Sequence, residues 1–160
     1  MPRDAVLKHN PYDLIIIKEN FIPEDNLDEI MMLTTKPSTG HATTINNENL
    51  EKGLDHHDTN LEVRNTLWYD IPEEMAKKLE QSISYSYLTH IQPKYNCQVK
   101  GYDPCQLLGY NPGGHYMSHI DCESYNEKQQ KWVQTMPRDI SLLFYLNEEF
   151  GGGELGLVVN

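Results

Sequence analysis

The chain has 160 residues, enough for one domain with a hydrophobic core, and 38% of them are hydrophobic. Its formal net charge of -11 disfavours non-specific binding to nucleic acid or to anionic membranes, because both of these partners are negatively charged. No apolar stretch is long enough to span a bilayer, the N-terminal residues are too polar for a secretory signal, and the three cysteines form no CxxC motif. These features predict a cytoplasmic protein with free thiols and without a nucleic-acid or membrane partner.

The first part of the chain predicts one short strand, one helix and one loop. The β-branched run Asp13–Lys18 is a strand candidate. The acidic segment Phe21–Asp25 opens a helix, and apolar residues continue at helical spacing from Asn26 to Thr35. Residues Pro37–Glu48 are rich in Gly, Ser, Thr and Asn and predict a loop.

The middle of the chain predicts a strand and then a longer helix. Alternating apolar residues in Asn60–Tyr69 are typical of a strand. A second helix begins at Ile71–Glu74, with acidic residues in its first turn. Its apolar positions recur at helical spacing at Met75, Leu79, Ile83 and Leu88.

The last part of the chain predicts strands separated by turns. Two strands, Lys100–Tyr110 and His115–Ile120, flank the turn Asn111–Gly114, and a polar loop follows over Cys122–Pro137. The run Asp139–Asn147 (DISLLFYLN) is the strongest strand pattern in the chain. Helices followed by strands predict an α+β, mainly β protein that forms one domain over residues 1–160.

One pair of residues is a candidate metal site. His119 and Asp121 are two positions apart, and such side chains share a face of an extended segment, so both can reach one ion. Histidine and carboxylate are two parts of the 2-His-1-carboxylate triad of non-haem Fe(II) oxygenases. A His-x-Asp pair alone is a weak motif. The alternative of a surface histidine beside a turn aspartate stays open.

The residues around this pair carry a longer pattern. A tyrosine precedes the pair, and an arginine, a strand ending in Tyr-Leu-Asn and a Gly-Gly-Glu follow it. The positions of the pattern are Tyr110, Tyr116, His119, Asp121, Arg138, Ser141, Leu143, Tyr145, Leu146, Asn147, Gly152, Gly153 and Glu154. This set resembles the iron(II)- and 2-oxoglutarate-dependent dioxygenases, most closely their prolyl-4-hydroxylase-like branch.

The resemblance implies a fold and an activity. The fold is a double-stranded β-helix, or jelly roll, with N-terminal helices packed on one sheet. Residues 1–100 would form the support and residues 101–160 the first part of the jelly-roll core. The activity is hydroxylation of a C–H bond in a protein residue or small molecule, with release of succinate and CO2. The implied cofactors are Fe(II), 2-oxoglutarate and O2, with ascorbate as a further candidate.

The resemblance also assigns roles to four residues. His119 and Asp121 would be the catalytic metal ligands, and Tyr110 and Tyr145 would bind the cosubstrate. The family pattern continues with a distal histidine ligand and a cation for the far carboxylate of 2-oxoglutarate, but no histidine follows His119 and no Lys or Arg follows Arg138. The second half of the barrel is therefore expected to be missing from these residues. This chain alone is not expected to turn over, and its exposed strand edges could pair two chains into a dimer.

Other ligands and other functions stay open. His56, His57 and His115 are the histidines that could complete the site. One alternative function is a non-catalytic jelly-roll module, or inactive fragment, that binds a partner without needing iron. Another is a cupin-like protein or hydrolase that binds Zn(II) or Mn(II) more tightly and forms no succinate.

Overall fold

The computed structural model describes residues 15–45, 49, 51–53, 57–126 and 128–156. They form two compact units, the first within Met1–Thr35 and Ile71–Gln106 and the second within Lys36–Asp70 and Leu107–Asn160. The first unit holds the helices and the second holds the sheets, which confirms the α+β class. The single domain and the jelly-roll core stay predictions.

Helix α1, Glu24–Leu33, begins after Pro23, as the acidic segment predicts. The Pro23 carbonyl accepts the N–H of Leu27 at 2.9 Å. Glu24 and Asp25 place negative charge in the first turn, where it interacts favourably with the helix dipole. Ile30 and Leu33 are buried, so one face of this helix contributes to the core of the first unit.

Helix α2, Glu73–Ser86, begins after Pro72 and confirms the second predicted helix. Lys77 and Glu73, one turn apart, form an ion pair of 2.6 Å on its exposed face. A second ion pair joins Lys78 to Glu29 of α1 at 2.8 Å. The buried apolar residues of this unit are Ile30, Leu33, Met75, Leu79 and Ile91.

The helix widens beyond Ser86 because of a proline. Tyr87–Ile91 form a π-helix and Gln92–Tyr95 a last α-helical turn. Pro93 has no N–H to donate to the preceding turn. The N–H of Gln92 bonds to the Tyr87 carbonyl, five residues back, whereas an α-helix would use the carbonyl four residues back. Among the helices of the described residues, none is long and apolar enough to cross a membrane.

The second unit contains short antiparallel strands in four small sheets. Their orders are β1-β5-β6, β2-β3, β4-β7 and β8-β9. Thr66, between β4 and β5, is 1% exposed, and Ala42 donates its N–H to the Thr66 carbonyl at 2.8 Å. The strands are β1 (Gly40–His41), β2 (Thr44–Ile45), β3 (His57–Asp58), β4 (Arg64–Asn65), β5 (Leu67–Tyr69), β6 (Leu107–Gly109), β7 (His115–Tyr116), β8 (Glu123–Asn126) and β9 (Lys131–Gln134).

The pairing register places an insertion just before the candidate metal pair. Leu67 pairs with Gly109 and Asn65 pairs with His115. An advance of two residues from 65 to 67 therefore corresponds to one of six residues from 109 to 115. The extra residues form the predicted turn, in which the N–H of Gly114 bonds to the Asn111 carbonyl at 2.7 Å. Beyond this insertion β7 pairs again with β4, and that pairing fixes the position of Tyr116.

Several predicted boundaries are wrong. The strand predicted over Asn60–Tyr69 is present as β4 and β5, but those predicted over Lys100–Tyr110 and His115–Ile120 shorten to β6 and β7. The loop predicted over Pro37–Glu48 contains β1 and β2, which pair with strands far along the chain. Of the strand predicted over Asp13–Lys18, residues 15–18 form no strand and the rest lies outside the described residues.

Two further corrections concern the residues after the metal pair. The predicted polar loop Cys122–Pro137 contains the hairpin β8–β9, whose turn is stabilised by Asn126 accepting the N–H of Gln129 at 3.0 Å. The run Asp139–Asn147 forms no strand. A strand requires a hydrogen-bonded neighbour as well as a suitable sequence, and none of the described strands pairs with this run.

Candidate metal site

His119 and Asp121 lie next to each other just after β7. Their closest atoms, Nε2 of His119 and Oδ1 of Asp121, are 3.0 Å apart. The side chains are 38% and 41% exposed, so the pair is open to solvent and to a ligand. The two residues are not on a strand, because the last ladder-like hydrogen bond joins the N–H of Met117 to the Val63 carbonyl at 2.9 Å. A bend after that bond brings the two side chains together.

The imidazole of His119 faces an acceptor at each nitrogen. Its Nδ1 is 2.8 Å from the Met117 carbonyl, which can only accept, so Nδ1 carries a proton. In the neutral ring, Nε2 would then direct a lone pair at the Asp121 carboxylate, which also only accepts. Two acceptors at 3.0 Å repel each other unless a proton or a metal ion is bound there. A proton on either group, or a bound cation, satisfies this contact.

Ser141 holds the other oxygen of the same carboxylate. Its hydroxyl donates a short hydrogen bond to Oδ2 of Asp121. Oδ1 faces the imidazole while Oδ2 is occupied, so the carboxylate presents one oxygen to the shared position. Outer hydrogen bonds of this kind orient the ligands of protein metal sites.

Aromatic stacking fixes the plane of the imidazole. The rings of Tyr116 and His119 are nearly parallel, with centroids 3.7 Å apart and planes 20° from each other. The guanidinium carbon of Arg64 lies over the Tyr116 ring, 4.6 Å from its centroid. Arg64 and Tyr116 face each other directly across β4 and β7.

Burial and nearby charges shift the pKa of the Tyr116 hydroxyl. Burial raises the pKa of this hydroxyl above its ordinary value. The Asp121 carboxylate and Tyr110 also raise this pKa. The positive charges of Arg64 and Arg138 lower it. Tyr110 and Arg138 therefore lie within electrostatic range of Tyr116.

The separation of the two donors is compatible with one six-coordinate divalent ion as well as with a direct hydrogen bond. Two ligand atoms about 2.1 Å from an octahedral ion and at right angles to each other are about 3.0 Å apart. The distance between Nε2 of His119 and Oδ1 of Asp121 equals that value. No group of three histidine, cysteine, aspartate or glutamate side chains comes together among the described residues. The described residues thus bring two candidate ligands together.

Tyr110 and Tyr145, the other predicted site residues, make no hydrogen bond or ring contact with His119 or Asp121. Tyr110 directly follows β6 and is 54% exposed. Tyr145 is 57% exposed, and its side chain makes no hydrogen bond or ring contact with a described residue. Their proposed contacts to a cosubstrate stay predictions.

The alternative histidine ligands are placed elsewhere where they are described. Both ring nitrogens of His115 contact backbone carbonyls, those of Gly113 at 3.2 Å and Glu62 at 3.1 Å. Its pKa is raised, first by the Glu62 carbonyl and then by that of Gly113. His57 lies on β3, with Nδ1 3.5 Å from the Thr43 hydroxyl. His56 lies outside the described residues.

Sequence reasoning missed Arg64 and the contact made by Ser141. Arg64 is buried at 9% exposure, and its Nη1 donates to the Thr43 carbonyl at 3.0 Å. The sequence signal for Arg64 is a charged residue inside an alternating strand. Ser141 was recognised as part of the family pattern without a role.

Comparison of the chain with protein-family models, with curated proteins and with solved structures finds no match.

Proposed function

We propose that the second unit carries the metal site of an Fe(II)- and 2-oxoglutarate-dependent hydroxylase of the prolyl-4-hydroxylase-like type. The observation that supports this most strongly is the pair of atoms Nε2 of His119 and Oδ1 of Asp121, 3.0 Å apart, which suits two neighbouring positions around a metal ion. The residue pattern from Tyr110 to Glu154 supports the same assignment. In this proposal the short sheets belong to a jelly-roll core.

Each residue of the site has a definite task in this proposal. His119 and Asp121 hold Fe(II), which when bound supplies the redox chemistry for the reaction of O2 with 2-oxoglutarate. The Met117 carbonyl keeps the proton of His119 on Nδ1, so that Nε2 is the ligand atom. The Ser141 hydroxyl keeps Oδ2 of Asp121 occupied and leaves Oδ1 as the second ligand atom.

The cosubstrate and the substrate follow from the same assignment. Tyr110 and Tyr145 are proposed to contact 2-oxoglutarate through their hydroxyl groups. The substrate is a protein residue or a small molecule with a C–H bond that becomes hydroxylated, and the products include succinate and CO2. Ascorbate would serve as an additional cofactor, and the enzyme would act in the cytoplasm.

An anaerobic titration tests the proposal. The 160-residue protein is titrated with Fe(II) and then with 2-oxoglutarate while the visible charge-transfer band of the chelated complex is recorded. The band is expected in the wild type and is lost in His119→Ala and Asp121→Asn. His115→Gln is the matched control, because the ring nitrogens of His115 contact only backbone carbonyls.

The other outcomes separate the alternative functions. Fe(II) binding that is equal in the wild type and in His119→Ala refutes the proposal. Binding of Zn(II) or Mn(II), with no charge-transfer band when 2-oxoglutarate is added to the Fe(II) protein, assigns the protein to a hydrolase or cupin-like class. No metal binding in a folded protein assigns it to a non-catalytic module. If the band appears, His56→Ala and His57→Ala test which histidine completes the site.

A further inference from the structure

We propose that Arg64 is a positioning residue of this metal site and that it holds the His119 imidazole in place through the ring of Tyr116. The inference rests on the proposed metal-binding role of His119 and adds a residue that the family pattern does not contain. Three flat groups lie in one stack: a guanidinium, a phenol ring and an imidazole. The last group of the stack is the His119 imidazole, whose Nε2 is the atom proposed to bind the metal.

The two ends of the stack lie on opposite faces of the phenol. The imidazole of His119 covers one face of Tyr116 with a centroid separation of 3.7 Å. The guanidinium carbon of Arg64 is 4.6 Å from the same centroid, and we infer that it occupies the other face because the imidazole covers the first. The phenol is thus clamped, and its freedom to tilt or slide is limited by both neighbours.

Arg64 is itself fixed by the surrounding backbone. It is 9% exposed, its Nη1 donates to the Thr43 carbonyl at 3.0 Å, and β4 pairs it with Tyr116. Its Nε is buried and makes no hydrogen bond with any described residue. Within the described part of the chain it also has no carboxylate at ion-pair distance. A buried cation needs a compensating partner, and the electron-rich face of Tyr116 is the partner that the geometry provides.

The consequence is control of the direction of Nε2. The hydrogen bond from Nδ1 to the Met117 carbonyl fixes one atom of the imidazole but leaves the ring free to rotate about that bond. Stacking on Tyr116, with planes 20° apart, removes this rotation and directs Nε2 at Asp121. Arg64 thereby preorganises a ligand that it does not touch.

Two measurements test this role, and one of them needs no metal. The first is the NMR chemical shift of the His119 ring protons in the metal-free protein, because a phenol stacked at 3.7 Å moves these signals upfield. The signals are assigned by their loss in His119→Gln. The second is the affinity for Co(II), used as an air-stable probe of the Fe(II) site. Arg64→Gln is expected to lose the upfield shift and to bind Co(II) about 10- to 100-fold more weakly.

Conservative and distant variants distinguish positioning from a loss of charge. Arg64→Lys keeps a cation that can lie over the ring, so it restores part of the upfield shift and part of the affinity. Lys78→Gln removes a cation from the first unit and leaves both readouts unchanged. An unchanged His119 shift and unchanged Co(II) affinity in folded Arg64→Gln overturn the proposal.

The remaining outcomes are also decisive. If Arg64→Gln does not fold, Tyr116→Leu replaces it, because this change removes the ring between Arg64 and His119. Unchanged affinity and unchanged His119 shifts in that variant refute the stack. If the wild type binds no Co(II) or Fe(II), the proposed hydroxylase function fails, while the His119 shifts in Arg64→Gln still decide whether Arg64 positions the imidazole.

Discussion

Replacing Gly114 with alanine tests whether the close backbone packing of the turn before β7 limits stability. A Cβ on Gly114 would lie 2.8 Å from the Asn111 carbonyl oxygen, 3.0 Å from the Asn65 carbonyl oxygen and 3.2 Å from the Asn111 nitrogen. All three are backbone atoms, so no flexible side chain can move aside. We expect a cost of about 2–3 kcal/mol, in the upper range for overpacked sites. With a urea m-value of about 2 kcal/mol/M, the unfolding midpoint falls by about 1–1.5 M.

Urea unfolding is followed by the fluorescence of Trp68, which lies on β5, in a protein that also carries Trp132→Phe. Two glycines of the same unit provide controls. Gly151→Ala meets no atom within 4 Å and has no positive φ, so it leaves stability unchanged or raises it by about 0.4–1 kcal/mol. Gly113→Ala also meets nothing, but its φ of +82° costs about 1–2 kcal/mol. A midpoint for Gly114→Ala within error of that for Gly151→Ala refutes the reasoning.

Two further predictions concern groups whose pKa is shifted. The pKa of His115 is raised by the carbonyls of Glu62 and Gly113, so its stabilising contribution is complete below about pH 6.5 and is lost as pH rises through the folded-state pKa. The difference in unfolding midpoint between wild type and His115→Gln should therefore shrink from pH 5.5 to 8.5, and parallel profiles contradict it. Burial and the nearby Glu80 charge raise the pKa of the Cys105 thiol, so alkylation by iodoacetamide at pH 7.5 should be slower than for a free cysteine peptide. Glu80→Gln should speed that reaction in a protein whose other cysteines are serine, and an unchanged rate argues against the charge effect.

Both long helices could be predicted because their signals are local. Pro23 and Pro72 each precede two acidic residues, and the apolar residues that follow recur at helical spacing. These features act within one or two turns, so no knowledge of the rest of the fold is needed. The widening at Tyr87–Ile91 was missed, although Pro93 supplied the signal for it.

The strands were harder to predict because their partners are distant. The hairpin β8–β9 has little apolar alternation, since Val133 is the half-buried residue of its second strand. Its turn depends on Asn126 and on the positive φ of Gln130, which are local details that resemble an ordinary loop. The run Asp139–Asn147 shows the opposite case, in which strong strand propensity does not produce a strand.

The candidate site also combines one part that depends on local sequence with another that depends on distant strand pairing. His119 and Asp121 are two residues apart, so a single bend brings them together, and sequence spacing predicts that they share a ligand. Arg64 reaches the site only through the pairing of β4 with β7, which depends on the insertion at residues 110–114. No local pattern contains that register.

The run Asp139–Asn147, which forms no strand, has a consequence for the colloidal behaviour of the protein. From Ile140 to Leu146 it contains no charge and no proline, and Leu143 and Tyr145 are more than half exposed at 62% and 57%. Segments of this composition are the ones that stack into cross-β fibrils. Charged residues flank it on both sides, Arg138 and Asp139 before it and Glu148 and Glu149 after it. The acidic residues Asp139, Glu148 and Glu149 are expected to oppose this stacking by repulsion, and we expect that effect to weaken when salt screens the charges or acid neutralises the carboxylates.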